Sequence, residues 1–174
     1  PERHRTMSSL RHNWQGLLLA GVTAICILAA LLAPAMPQPL GYHDFADCRI
    51  WFGIPNILNV LSNLPFLLFG AAGLWLLVQG RVQWRDSREA LPYLVFFLGA
   101  ALTCLGSMYC HWRPDNARLV WDRLPMTLAF AGLIASVVAE RVDQEWGRKS
   151  LAPLLIVGAA SVFYWYATER LGRG

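Results

Sequence analysis

The sequence predicts an all-α, polytopic membrane protein of about five transmembrane helices, on three observations. Hydrophobic residues make up 56% of the 174 positions and charged residues 15%, with a positive mean hydropathy, so a surface built for water is excluded. The charges are segregated: residues 14–37, 53–80, 91–109, 124–139 and 151–168 carry almost none, and each stretch compares with the roughly 20 residues that cross a bilayer core as a helix. All eight tryptophans fall at or near the ends of these stretches, where an interfacial belt puts them.

Taken in order, residues 1–13 form a basic tail, and 14–37 form an additional helix ahead of the domain 38–174. The stretch ends in Ala33-Pro34-Ala35, which looks like a cleavage site. Its apolar core of about 18 residues exceeds the roughly 7–15 of a signal peptide, so an uncleaved helix is expected. Next comes a polar loop, residues 41–49, with Asp44 and Asp47 three apart. Gly53-Ile54-Pro55-Asn56 is read as the opening of the second span, with Pro55 where a missing N–H matters least. Asn56, Asn59 and Asn63 then follow at helical spacing and draw a polar stripe that turns to the bundle interior. Interhelical hydrogen bonding and the lining of a site both account for it. Pro65 is expected to free a carbonyl or kink this span, and Pro125 to do the same in the fourth.

Nine of the fifteen Lys and Arg residues lie on the inner side if the amino terminus is inside. The net charge of +4 follows from this distribution, and no basic stripe interleaved with aromatics suggests nucleic acid as a partner. The expected partners are the lipid bilayer and a membrane lipid. Free, partly buried thiols are the expected state of the four cysteines, with a Cys48–Cys110 bridge as the alternative.

The most informative segment is Gly106-Ser107-Met108-Tyr109-Cys110-His111, followed eleven residues later by Asp122. Ser107 and His111, four apart, share one helix face. Ionisable groups at the edge of a membrane helix are expensive to hold and mark a candidate site. His111 suits zinc, but a catalytic zinc needs about three protein ligands. A Ser/His/Asp triad is a competing reading, disfavoured because two residues on one helix both project along it. A structural reading also stands, in which Ser107 bonds back to its own helix and His111 reaches the interface.

Ser107-x3-His111-x10-Asp122 resembles the alkaline ceramidase family, within the CREST superfamily of membrane hydrolases. Residues 53–63 resemble the first core helix of its bacterial members, and Asp122-Arg123-Leu124-Pro125-Met126 the start of the third. The resemblance spans roughly residues 42–168 and implies a seven-helix, zinc-dependent hydrolase that cleaves ceramide-like amides in a bacterial inner membrane. It implies His111 as one of three zinc ligands, Ser107 as the hydroxyl that stabilises the transition state, and Asp122 as the acid/base group. The family's other two ligands form a His-x3-His pair, which this sequence lacks. A carboxy-terminal truncation and an inactive chain are therefore expected. Eukaryotic members bind Ca²⁺ through a loop with an asparagine and a glutamate nine apart; Asp47 and Asn56 keep that spacing with changed side chains, and Asp44 sits one position from another ligand's place. Zn²⁺ is thus the implied cofactor and Ca²⁺ a second candidate. The alternative is a non-catalytic receptor or scaffold of the same superfamily.

Overall fold

In a hydrocarbon solvent every backbone polar group needs an internal partner, which leaves helices as the structure for apolar runs of this length. The computed structural model describes residues 2–80 and 83–172, and it is helical throughout apart from loops and one two-residue hairpin. The chain divides into two compact units, Pro1–Ala35 and Met36–Gly174. The first is the helix α1 (Glu2–Leu32), whose apolar part, Gly16–Leu32, is 17 residues long. Side chains of the basic tail 1–13 lie outside the described residues.

The second unit holds four stretches long and apolar enough to cross a membrane: Ile57–Val78, Ser87–Trp112, Asn116–Arg141 and Gln144–Arg170. The chain is thus a multi-pass helical membrane protein. The first stretch is two helices, α2 (Ile57–Leu61) and α3 (Leu64–Val78); the others are α4 (Leu91–Trp112), α5 (Asn116–Arg141) and α6 (Gln144–Arg170). Aspartates start the last two helices. Asp115 accepts the Arg118 N–H at 2.7 Å, and Asp143 accepts those of Glu145 and Trp146 at 3.0 and 3.1 Å.

One expectation is corrected here. Gly53-Ile54-Pro55-Asn56 does not open a helix. It forms the return of a hairpin in which β1 (Ile50–Trp51) pairs antiparallel with β2 (Ile54–Pro55). The two turn residues, Phe52 and Gly53, have φ of 52° and 77°, and Asn56 has φ of 52°, all outside the right-handed helical region. Pro55 therefore sits in a strand, and α2 starts at Ile57. The Pro65 expectation holds: the span breaks at Ser62-Asn63, with Pro65 in the first turn of α3. Pro125 leaves α5 unbroken.

Packing between spans relies on small residues. The buried positions of α5 include Ala131, Gly132, Ala135, Ser136 and Ala139, while Phe130, Leu133, Ile134 and Val137 stay exposed. That inversion suits a lipid-facing bundle, where association comes from close contact rather than from hiding apolar surface. Gly132 lies against the backbone of Phe96 and Pro92 on α4. Gly106 backs onto the Trp121 carbonyl, the one that Pro125 leaves without a donor in its own helix. A β-carbon at Gly106 would collide with that oxygen and would stand 3.3 Å from the Asp122 Cα. We expect Gly106→Val to push α4 from α5 and to lower stability by about 1–3 kcal/mol, read as a fall in the midpoint of thermal unfolding in detergent.

Candidate functional site

The polar residues gather at the end of the bundle where α2 begins, α4 ends, α5 begins and α6 ends. His111 sits in the last turn of α4, partly buried, with the ring of Phe45 set edge-on at a centroid distance of 4.9 Å. Its backbone carbonyl belongs to the set that a helix end leaves without partners, and it accepts Asn56 Nδ2 at 3.0 Å. Its ring is held by the broken span. Nδ1 lies 3.0 Å from the Asn59 carbonyl oxygen and 3.4 Å from Asn63 Nδ2.

Those two contacts require opposite states of Nδ1, because a carbonyl only accepts and an amide N–H only donates. The shorter one decides. Asn63 Nδ2 donates to the Asn59 carbonyl at 2.8 Å and has the Val60 carbonyl at 3.5 Å, so both of its hydrogens have acceptors other than the ring. In the neutral ring Nδ1 is therefore assigned the proton and donates to Asn59, which leaves Nε2 with its lone pair. The Asn59 oxygen is available because the helix breaks. The Asn63 N–H turns to Val60 O at 3.4 Å, and the freed Asn59 oxygen takes Ser62 Oγ at 2.8 Å besides the two donors above. Metal-binding histidines commonly have this form, with one ring N–H fixed by a carbonyl and the other nitrogen open.

Ser107, one turn before His111, is 5% exposed. The back-bond that a structural reading requires is not made: among the described residues its hydroxyl has no hydrogen bond, whereas Thr103 donates to Gly99 O at 2.8 Å and Ser136 to Leu133 O at 2.8 Å. The Ser107 oxygen is nevertheless not sealed away, since among the described residues only His43 Nδ1 is a fully buried side-chain polar atom without a partner. Asp122 lies two turns inside α5, beside Gly106 across the seam, and takes no hydrogen bond or ion pair among the described residues. Three groups of complementary chemistry thus share one end, each with an unused atom. Among the described residues no three His, Cys, Asp or Glu side chains come together to hold a metal ion.

Two of the three residues expected for calcium, Asp47 and Asn56, make hydrogen bonds within the fold. Asp47 Oδ2 accepts the Leu58 N–H at 2.8 Å, fixing the start of α2, and Oδ1 accepts the Arg49 N–H at 3.3 Å. Burial raises its pKa, but these backbone donors and that of Asn59 outweigh it and hold the carboxyl below its ordinary 3.8. Asn56 holds α4 through His111, and Asp44 follows the short 3₁₀ turn Leu40–His43. Cys48 and Cys110 are both free.

A second hydrogen-bond chain was not legible in the sequence. His43 Nε2 donates to Asn116 Oδ1 at 2.8 Å, Asn116 Nδ2 donates to Glu169 Oε2 at 3.5 Å, and Glu169 Oε1 accepts the Gln38 N–H. Arg123 donates to Gln38 Oε1 at 3.0 Å while its guanidinium lies 4.0 Å over the Trp165 ring. This clamps the segment before the first span of the unit to α5 and α6. The buried Nδ1 of His43 has no partner.

No protein-family model, curated protein or solved structure matches the chain.

Two measurements check this geometry. Nitrogen-15 NMR of histidine-labelled protein should find His111 protonated at Nδ1 with Nε2 bare. Because the Asp47 pKa is lowered on folding, its contribution to stability is complete above about pH 4 and is lost as pH falls through the folded value. Asp47→Asn should remove that part of the acid sensitivity in a denaturation series.

Proposed function

We propose that this chain is part of a zinc-dependent intramembrane hydrolase of N-acyl lipid amides, ceramide-like, which releases a fatty acid and a free amine in a bacterial inner membrane. The observation that carries the reading is the state of His111, its Nδ1–H on the Asn59 carbonyl and its Nε2 open. His111 fits one zinc ligand, and the reading requires two more. Zinc, when bound, supplies Lewis-acid polarisation of an amide carbonyl and lowers the pKa of water.

The chain's own residues divide the remaining work. The hydroxyl of Ser107, a largely buried residue, has no partner among the described residues and is available to donate a hydrogen bond to the oxyanion that develops on the scissile amide. Asp122, across the α4/α5 seam, is available to carry a proton to the departing amine. Phe45 shields the His111 ring from water on one side. A calcium ion at Asp44, Asp47 and Asn56 is a further part of the proposal. Its oxygen ligands would have to share Asp47 with the start of α2.

One observation favours a second reading, a receptor or scaffold of the same architecture. No three-ligand group is assembled among the described residues, and the asparagines already have packing roles. Metal analysis of a purified protein that carries this chain together with the two further ligands the reading requires, beside hydrolysis of a panel of N-acyl lipids, separates the two. For the hydrolase, His111→Ala should lose zinc, while Ser107→Ala and Asp122→Asn should keep it and slow turnover by about 10²-fold. Equal zinc content in the wild type and His111→Ala would sink the metal assignment.

A further inference from the structure

A strap crosses the end of the bundle that carries His111. Within residues 36–45 the regular structure is one 3₁₀ turn, Leu40–His43, and the backbone–backbone bonds are local: Tyr42 N–H to Pro39 O at 3.0 Å and Asp44 N–H to Gly41 O at 3.1 Å. Lifting the strap therefore unwinds no helix of the bundle, which is the character of a segment that opens at low free energy.

Its hold on the helices comes from a few side chains. Glu169 of α6 accepts the Gln38 N–H, and Arg123 of α5 donates to Gln38 Oε1 at 3.0 Å. The same guanidinium lies 5.9 Å from the ring centre of Tyr42. His43 reaches Asn116 at 2.8 Å, and Asn116 passes on to Glu169 at 3.5 Å. Two residues beyond this latch, Phe45 lies against the His111 ring at 4.9 Å between centroids. Farther along, Asp47 is tied to the start of α2 by the Leu58 N–H at 2.8 Å. The strap thus has a latched end and an anchored end, with the cover of His111 between them.

The latch is imperfect at one atom. With Nε2 of His43 donating to Asn116, Nδ1 is left an acceptor, buried and without a partner. Such a nitrogen costs free energy while it stays buried, and water satisfies it once the strap lifts. The bonds to Glu169 and Asn116 favour the closed position, and the stranded nitrogen favours the open one. Opposed terms of this kind keep two positions within reach of each other.

We propose that residues 38–45 are a gate over His111. Closed, the gate sets Phe45 against the imidazole. Lifted about Asp47, it bares the ring and opens the path from the loop side to Nε2, which has no partner among the described residues. A ligand for that nitrogen arriving from the loop side enters after the latch parts. The gate stands on these contacts and does not rest on the hydrolase reading.

Carbethoxylation by diethyl pyrocarbonate reads the gate, because the reagent attacks a bare imidazole nitrogen and needs no turnover. The full chain is treated in detergent with a chelator present, and modification of His111 is followed in time by mass spectrometry of its peptide. In the wild type His111 should react slowly. Glu169→Ala unlatches the strap from the helix side, and Gln38→Pro removes both the N–H donor and the Arg123 acceptor from the strap side. Each should speed the reaction about tenfold, as expected for the loss of a charge-assisted bond. Gln38 lies outside the helices, so its variant reads the gate even if Glu169→Ala fails to fold. Phe45→Ala should speed the reaction at least as much, and adding Gln38→Pro to it should change little more. A wild-type rate equal to that of Phe45→Ala, a rate unmoved by Gln38→Pro, or a Gln38→Pro effect that survives in full without Phe45 overturns the gate. The gate and the hydrolase fail separately, since zinc content follows His111 and the modification rate follows the latch.

Discussion

The rest of the site depends on one carbonyl that its own helix leaves without a donor. A helix interrupted inside hydrocarbon exposes peptide groups that water cannot reach, and each costs free energy until something donates to it. At Ser62-Asn63 the chain meets this demand with its own neighbours, so the Asn59 oxygen gathers a serine hydroxyl, an asparagine amide and the imidazole of His111. The break is therefore more than a defect tolerated by the fold. It brings the second span and the end of α4 together at one atom and sets the tautomer of the ring that meets it there.

Small residues make that meeting geometrically possible. Gly106 lets α4 approach α5 until Asp122 lies beside the turn that carries Ser107, and Gly132 brings Phe96 close from the other side. Because the carbonyl that Gly106 touches is the one Pro125 deprives of its usual donor, the seam forms where α5 has a backbone acceptor to offer.

Much of this was readable before any coordinates. Apolar run length, sorted charges and tryptophans at the ends gave the class, and the asparagine spacing with Pro65 pointed to an inward polar face and a break. What escaped was set by contacts distant in the chain. The hairpin at Phe52-Gly53 replaced an expected helix opening because three residues take positive φ, and a Pro-Asn pair by itself does not reveal that. The role of Phe45 against His111, and the chain from His43 through Asn116 to Glu169, join residues 66 and 126 positions apart, beyond the reach of any local pattern. Ser107, His111 and Asp122 were legible as types at a spacing. Their unused atoms were not.

The Gln38–Glu169 clamp has a mechanical meaning. It fastens the segment that enters this unit to its last helix, with Arg123 stacked on Trp165 as a second fastening beside it. A four-span bundle whose ends are tied in this way behaves as a closed hoop. Tension applied at either end is shared across the rim, and α6 cannot peel away from α5 without parting the Glu169 carboxylate from Asn116 and the Trp165 ring from Arg123.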